Sequence, residues 1–281
     1  LFQDNESATS RENKKRYLKY VEHGYSISCK KNSIVLVAKL DMTAMARRRP
    51  FVFFDLGQTL IDEWDFIDHF DAVFLEVLNG FGARIDSKNY RSIRDSVIRD
   101  RKIGHGSVMD LVVQVARMVS PPGYEKAVAS RIKPMIAEGR SRYFRFADDA
   151  PETLHALETM QVEMGLIANQ ALDVLELLER SGLAKCFSVK VISSAVGLAK
   201  PDLTVFELAL REAGREAADC IMVGDRLDTD ICPAKTLGMT TIRHTNSLFS
   251  LQEPQRDCEK ASYSVARLSE IPAVLERIIS G

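Results

Sequence analysis

The chain has 281 residues, is 46% hydrophobic and carries a formal net charge of −1. That length and apolar content suffice for one large core or two modest ones, and the near-neutral balance excludes a whole-protein electrostatic footprint for nucleic acid or a membrane surface. The five cysteines are odd in number and widely spaced, a pattern that indicates neither a disulfide framework nor a zinc site, so reduced thiols and a cytoplasmic location are expected. No apolar run approaches the ~20 residues of a membrane span.

The charge is uneven, with 11 Lys or Arg against 5 Asp or Glu in residues 1–49. Residues 1–48 read as a basic N-terminal extension without a motif, expected to be disordered or to lie upstream of a native start at Met42 or Met45. Phe51-Val-Phe-Phe54 then gives four apolar residues of aromatic and β-branched type, followed at once by Asp55, Gly57 and Thr59. This is a buried strand that stops abruptly. At the carboxyl end of a strand in an open parallel sheet, an acid sits in the ligand crevice.

From residue 62 to 149 the period becomes helical. Phe66, Phe70, Val73, Phe74 and Val77 share one helical face that ends at Asn79-Gly80, and similar patterns cover 90–100, 107–119 and 125–140. Beyond 149 the pattern alternates. Helices at 151–160 and 171–180 flank a strand at 164–168, and a strand at 187–192 precedes a helix at 201–212. Strands at 221–223 and 240–243 bracket a helix at 230–237, and a short strand at 263–266 and a helix at 269–279 close the chain. Strand and helix in alternation predict a parallel sheet with helices on both faces.

The chemistry-bearing residues fall where strands end or helices start: Asp55, Gly57 and Thr59; Ala168 and Asn169; Lys200-Pro-Asp202; and Gly224-Asp225 with Asp230. In this order the set resembles the haloacid dehalogenase-like hydrolase superfamily, whose usual motifs are Asp-x-Asp-x-Thr, a Thr or Ser ending the second strand, a Lys, and Gly-Asp with a further Asp. The resemblance covers residues from about 49 to the C-terminus. It implies an α/β fold, a Rossmann-like doubly wound parallel sheet core (49–61 and 150–281) with an inserted α-helical cap domain (62–149).

The resemblance also implies roles. Asp55 would be the nucleophile, forming an aspartyl-phosphate. Mg2+ would be held by Asp55, the backbone carbonyl of Gly57, Asp225 and Asp230, which suits a hard cation that wants oxygen ligands. Lys200 would bridge nucleophile and phosphate, and Ala168, Asn169 and Lys200 would line the phosphate site. The expected partner is a small phosphorylated metabolite, with no nucleic acid and no membrane; oligomeric state has no signature in the sequence.

Two positions depart from the family pattern. Gly57 stands where a second aspartate would protonate the leaving oxygen and activate water, help worth ~10^2 to 10^4 in rate. Ala168 replaces a hydroxyl donor to the phosphate, a loss on the order of 1.5 to 3 kcal/mol. Asp62, Glu63, Asp65, Gln58 and His105 are conceivable substitutes for the missing acid. The leading expectation is a Mg2+-dependent phosphatase that handles aryl esters better than alkyl esters. The alternatives are a metal-free 2-haloacid dehalogenase, a carbon-phosphorus hydrolase using a cap lysine (Lys88, Lys102, Lys126 or Lys133), and a phospho-ligand-binding or regulatory protein with little turnover.

Overall fold

The computed structural model describes residues 50–280, so the expectations for the N-terminal extension lie outside the described residues. Strand β1 (Phe51–Phe54) is buried along its whole length. It lies in the middle of a six-stranded sheet of order β5-β4-β1-β6-β7-β8, with β4 Glu163–Ala168, β5 Val189–Ile192, β6 Cys220–Gly224, β7 Thr240–His244 and β8 Tyr263–Val265. Every neighbouring pair in this sheet is parallel. The numbering reverses direction at β1, so the crevice at its carboxyl end is a topological switch point.

Alternation along β1 divides the core into two layers. Val52 and Phe54 pack with Leu154, Leu178 and Leu275, from helices α5 (Ala150–Thr159), α6 (Asp173–Arg180) and α10 (Ile271–Ser280). Phe51 and Phe53 pack on the other face with Val205, Phe206 and Ala234, from α8 (Leu203–Ala213) and α9 (Cys232–Thr236). The short α7 (Ser193–Val196) follows β5 directly. Gly165 has to be glycine for this packing, because a Cβ there would meet the Phe53 ring at 2.9 Å.

The insert contains α1 (Trp64–Gly80), α2 (Ser87–Arg99), α3 (Val108–Val119) and α4 (Glu125–Arg142), whose apolar faces form a separate core of Phe70, Phe74, Tyr90, Val112, Val128 and Ile132. It joins the sheet through a small antiparallel ribbon in which β2 (Ile61–Asp62) pairs with β3 (Arg145–Phe146). Periodicity misses these two-residue strands, which are too short to show one. Arg145 pairs with Asp62 at 2.7 Å and Asp65 at 3.3 Å, while Arg142 stacks over Tyr143.

The insert is latched to the sheet domain. Arg101 donates to both carboxylate oxygens of Glu259 at 2.8 Å and to the carbonyl of Glu253, and Leu248 and Phe249 pack into the insert's core. Glu259 is fully buried. Burial works against its charge, but hydrogen bonds from Arg101, the Gln255 amide and Arg256 outweigh it and hold the carboxyl at about 2. Replacing Glu259 by Ala strands the largely buried Arg101 cation. The expected cost is about 3–5 kcal/mol, read as a lower urea midpoint.

One expectation is corrected at this latch. Cys232 and Cys258 form a disulfide, whereas Cys186 and Cys220 are free among the described residues. The partners lie 26 residues apart and meet only because the turn at Asp257–Glu259 packs on α9, a proximity that cysteine spacing does not encode.

Candidate active site

Asp55 leaves β1 still in register, its amide donating to the Val223 carbonyl at 2.9 Å. The chain then turns back sharply: the amides of Thr59 and Ile61 both donate to the Leu56 carbonyl, and Gln58 takes a left-handed φ of 53°. This turn fixes the Asp55 carboxylate over the crevice. Opposite it, β6 ends at Gly224, and the backbone enters a π-turn at Leu227–Ile231 instead of the ordinary helix expected to start at Asp230. Both Asp230 and Ile231 donate to the Arg226 carbonyl, and Asp230 Oδ2 accepts from the Arg226 amide at 3.0 Å. A Cβ on Gly224 would fall 2.6 Å from the Asp230 Cβ, so glycine is required for the turn to close on the strand.

Lys200 is delivered by the loop before α8. Asn169 clamps its backbone from both sides, donating to the Lys200 carbonyl and accepting from the Lys200 amide, each at 2.9 Å. The Lys200 ammonium reaches Asp55 Oδ1 at 2.5 Å and Asp230 Oδ1 at 2.6 Å. Asp225 completes the group: ligand oxygens of Asp55, Asp225 and Asp230 lie within 4.8 Å of one another.

Three carboxylates face one ammonium in a buried space. Burial disfavours the charge on Lys200, but Asp230 and Asp55 outweigh that and hold it above the ordinary lysine value. Asp230 is raised to about 6, by burial first and by Asp55, with Lys200 pulling back. Asp225 is raised well above the carboxylate range by burial and then by the charges of Asp230 and Asp55. Its Oδ2 is buried and has no hydrogen-bond partner, an expensive state for an acid oxygen. The donor set is hard oxygen with uncompensated negative charge, which fits an ion such as Mg2+.

The carboxylates open into a cavity of about 270 Å3 walled on the insert side by Phe66, Phe70, Ile98, Ile103 and Leu111. The structure thus brings Asp55, Lys200, Asp225 and Asp230 together, with Gly57 and Asn169 at the cavity edge. The Ala168 methyl packs in the core. Asn169 holds the backbone of Lys200 with its Oδ1 and one of its two N–H groups, so its side chain fixes the ammonium's position. Of the cavity-lining residues only Lys200 is a lysine, so none of the cap lysines considered for a Schiff base reaches it.

Three features escape sequence reasoning. Arg226 lies inside the Gly224–Asp230 segment and grips the insert, donating to the carbonyls of Gly106 and Gly104 at 3.0 Å and to Asp228 at 2.9 Å. Burial alone would raise Asp228, yet this contact holds it below its ordinary value. Asp71, Tyr90 and Arg94 form a buried polar knot on the cavity wall, with Tyr90 donating to Asp71 at 2.7 Å and Arg94 pairing with its other oxygen. Helical spacing places Asp71 one position from Phe70, so a polar residue beside an apolar face was the available signal. Gln170 also lines the cavity and carries no motif.

Residues 52–244 match the haloacid dehalogenase-like hydrolase family; the chain belongs to this family and is a hydrolase of its fold. It is 28% identical over 236 residues to a glyceraldehyde 3-phosphate phosphatase of Methanocaldococcus jannaschii, covering 81% of this chain and 97% of that protein. The corresponding phosphatase of Methanothermobacter thermautotrophicus is 29% identical over 80% of this chain and 97% of its own. Among solved structures, the putative HAD-hydrolase YfnB from Bacillus subtilis, bound to magnesium, superposes with a TM-score of 0.58 at 18% identity, covering 82% of this chain and 99% of that one. At that identity the likeness concerns the fold.

Proposed function

We propose that the protein is a Mg2+-dependent phosphatase of small phosphorylated metabolites that works through an aspartyl-phosphate at Asp55. The observation that carries this reading is the orphaned Asp225 Oδ2, buried beside a lysine-paired aspartate in a cluster where three carboxylates share one ammonium. Asp55, Asp225 and Asp230 would hold the metal, which supplies charge neutralisation for the transferring phosphoryl group.

The chain's own residues do the rest. Lys200 aims the Asp55 carboxylate and lies where it neutralises a phosphoryl oxygen. Asp55 attacks phosphorus, the ester P–O bond breaks with its electron pair on the leaving oxygen, and the phosphoryl group rests on Asp55. Water then attacks phosphorus and the pair returns to Asp55. The apolar walls exclude other water while this intermediate exists. A cavity of about 270 Å3 is at the small end of ligand sites and suits a metabolite of a few carbons, in keeping with the relatives named for glyceraldehyde 3-phosphate.

The absence of any lining lysine but Lys200 counts against a Schiff-base mechanism on carbon-phosphorus bonds, and the orphaned acid counts against a metal-free dehalogenase. The test is phosphate release from glyceraldehyde 3-phosphate and p-nitrophenyl phosphate, with Mg2+ or with EDTA. Release that requires Mg2+ is expected. Binding of phosphate without release from any ester would instead make the chain a phospho-ligand-binding protein.

A further inference from the structure

The helices of the insert wall the cavity with apolar side chains at every lining position but two, Asp71 on α1 and Arg94 on α2. Helical spacing puts them there. Asp71 is one turn from Ile67 and Arg94 one turn from Ile98, and both isoleucines line the same cavity. A buried ion pair is a costly way to join two helices, since well-packed apolar residues of similar volume do as well or better. On the wall of a cavity it has a second use, because groups that border the cavity can meet a ligand.

The knot is held firmly and still has hydrogen-bonding capacity. Tyr90 is buried, packs edge-on against Phe74 and does not itself line the cavity; it donates to Asp71 Oδ1 at 2.7 Å. Arg94 pairs with Asp71 Oδ2 through Nη1, and with Asp95 Oδ1 through Nε at 2.9 Å and Nη2 at 2.7 Å. These bonds use three of the five guanidinium N–H groups and one acceptor site on each Asp71 oxygen. Donors on Arg94 and acceptor sites on Asp71 are left over. A hydroxyl matches both, because it donates and accepts at once.

Charge narrows the choice. Asp71 and Asp95 share the one Arg94 cation, while Arg91 and Asp68 act on Asp71 in opposite senses. Burial pushes the Asp71 carboxyl up, with the Tyr90 hydrogen bond and the Arg94 charge pulling it back. Above the carboxylate range the knot is net negative, and it repels an anionic group brought against it in a wall of low dielectric.

We propose that Asp71 and Arg94 recognise a hydroxyl on the carbon chain of the substrate, so that the enzyme takes phosphate esters of short neutral polyols or hydroxyaldehydes in preference to those that end in a carboxylate. This rests on the phosphatase reading above. With the phosphoryl group at the Asp55 cluster on the sheet side, the carbon chain extends toward the insert, where Asp71 accepts from the hydroxyl and Arg94 donates to it.

The test measures kcat/KM at pH 8 with Mg2+ on three esters that share a short carbon chain and a hydroxyl beside the ester carbon. They differ only at the far carbon: glycerol 3-phosphate ends in a hydroxyl, propane-1,2-diol 1-phosphate in a methyl and 3-phosphoglycerate in a carboxylate. p-Nitrophenyl phosphate is run beside them to report on the catalytic cluster. Wild type is expected to favour the hydroxyl ester over the methyl ester by about 10- to 100-fold, as for a hydrogen bond to a charged group. It favours the hydroxyl ester over the carboxylate ester by at least about tenfold, through like-charge repulsion. Asp71→Asn keeps an oxygen for Arg94 and removes the negative charge, so the first preference falls about tenfold and the carboxylate ester gains on the hydroxyl ester. A knot that only braced α1 against α2 would lower all three esters together and leave both ratios unchanged.

If wild type hydrolyses the aryl ester but treats the hydroxyl and methyl esters within about threefold of each other, the assignment is wrong and the phosphatase reading stands. That comparison needs no variant, so it decides even where Asp71→Asn does not fold. If Asp71→Asn melts cooperatively and keeps both wild-type ratios, the knot is a brace and the assignment is again wrong. If wild type hydrolyses none of the four esters, the phosphatase reading fails and takes this inference with it.

Discussion

Asp55→Asn releases no phosphate above background. The amide keeps the shape of the carboxylate and an oxygen to accept from Lys200, so the fold survives and its melting transition stays cooperative. On the proposed mechanism, what is lost is the electron pair that attacks phosphorus. In a set of residues that act as a unit, removing the nucleophile alone costs on the order of 10^6 in turnover, and a loss of at least about 10^4 is expected here. Phosphate-release kinetics over hours, together with acid-quenched labelling, measure it. Residual activity within about tenfold of wild type would move the nucleophile elsewhere.

The second large effect has the opposite sign on stability. With EDTA present, Asp225→Asn melts higher than wild type, because an acid oxygen buried without a partner is replaced by an amide facing two carboxylates. Relief of about 1–3 kcal/mol corresponds to roughly 3–10 °C for a domain of this size. With Mg2+ the order reverses: wild type gains about 2.7 kcal/mol when the ion is at one hundred times its dissociation constant, and the variant gains little.

The pH dependence follows from the same charges. Asp225 and Asp230 are raised in the folded chain, so without metal their contribution to stability is present below the ordinary carboxylate range and is lost as pH rises, for Asp230 through about 6. Glu259 runs the other way, being held at about 2; its contribution is full above the ordinary glutamate value and is lost as pH falls toward that figure. Metal-free wild type should therefore lose melting temperature between about pH 4 and pH 6, and Asp225→Asn should be flatter over that window. A wild-type curve that rises throughout would show that the cluster does not carry uncompensated charge.

Much of this was legible in the chain because it is written in short local patterns. The uninterrupted apolar run at 51–54, aromatic and β-branched and stopped at once by Asp55, Gly57 and Thr59, reads as a buried strand, and the acid behind it falls at the strand's carboxyl end. Asp225 follows β6 for the same reason. The helices of the insert announce themselves by the spacing of Phe66, Phe70 and Phe74. What stayed hidden depends on contacts between distant segments. The two hydrogen bonds by which Asn169 clamps Lys200 join residues 31 positions apart and leave no mark in the local sequence. The Cys232–Cys258 pair and the Arg101–Glu259 latch join residues that nothing nearby in the sequence marks as neighbours.

The grip of Arg226 on the insert takes hold of main-chain oxygens, those of Gly104 and Gly106. It reads the path of that loop and is indifferent to most of its side chains. Ile103, Val108 and Leu111 line the cavity around it, so these apolar walls can be exchanged while the fastening between the insert and the sheet domain is kept. The shape of the cavity and the attachment of the insert are thereby separable by mutation.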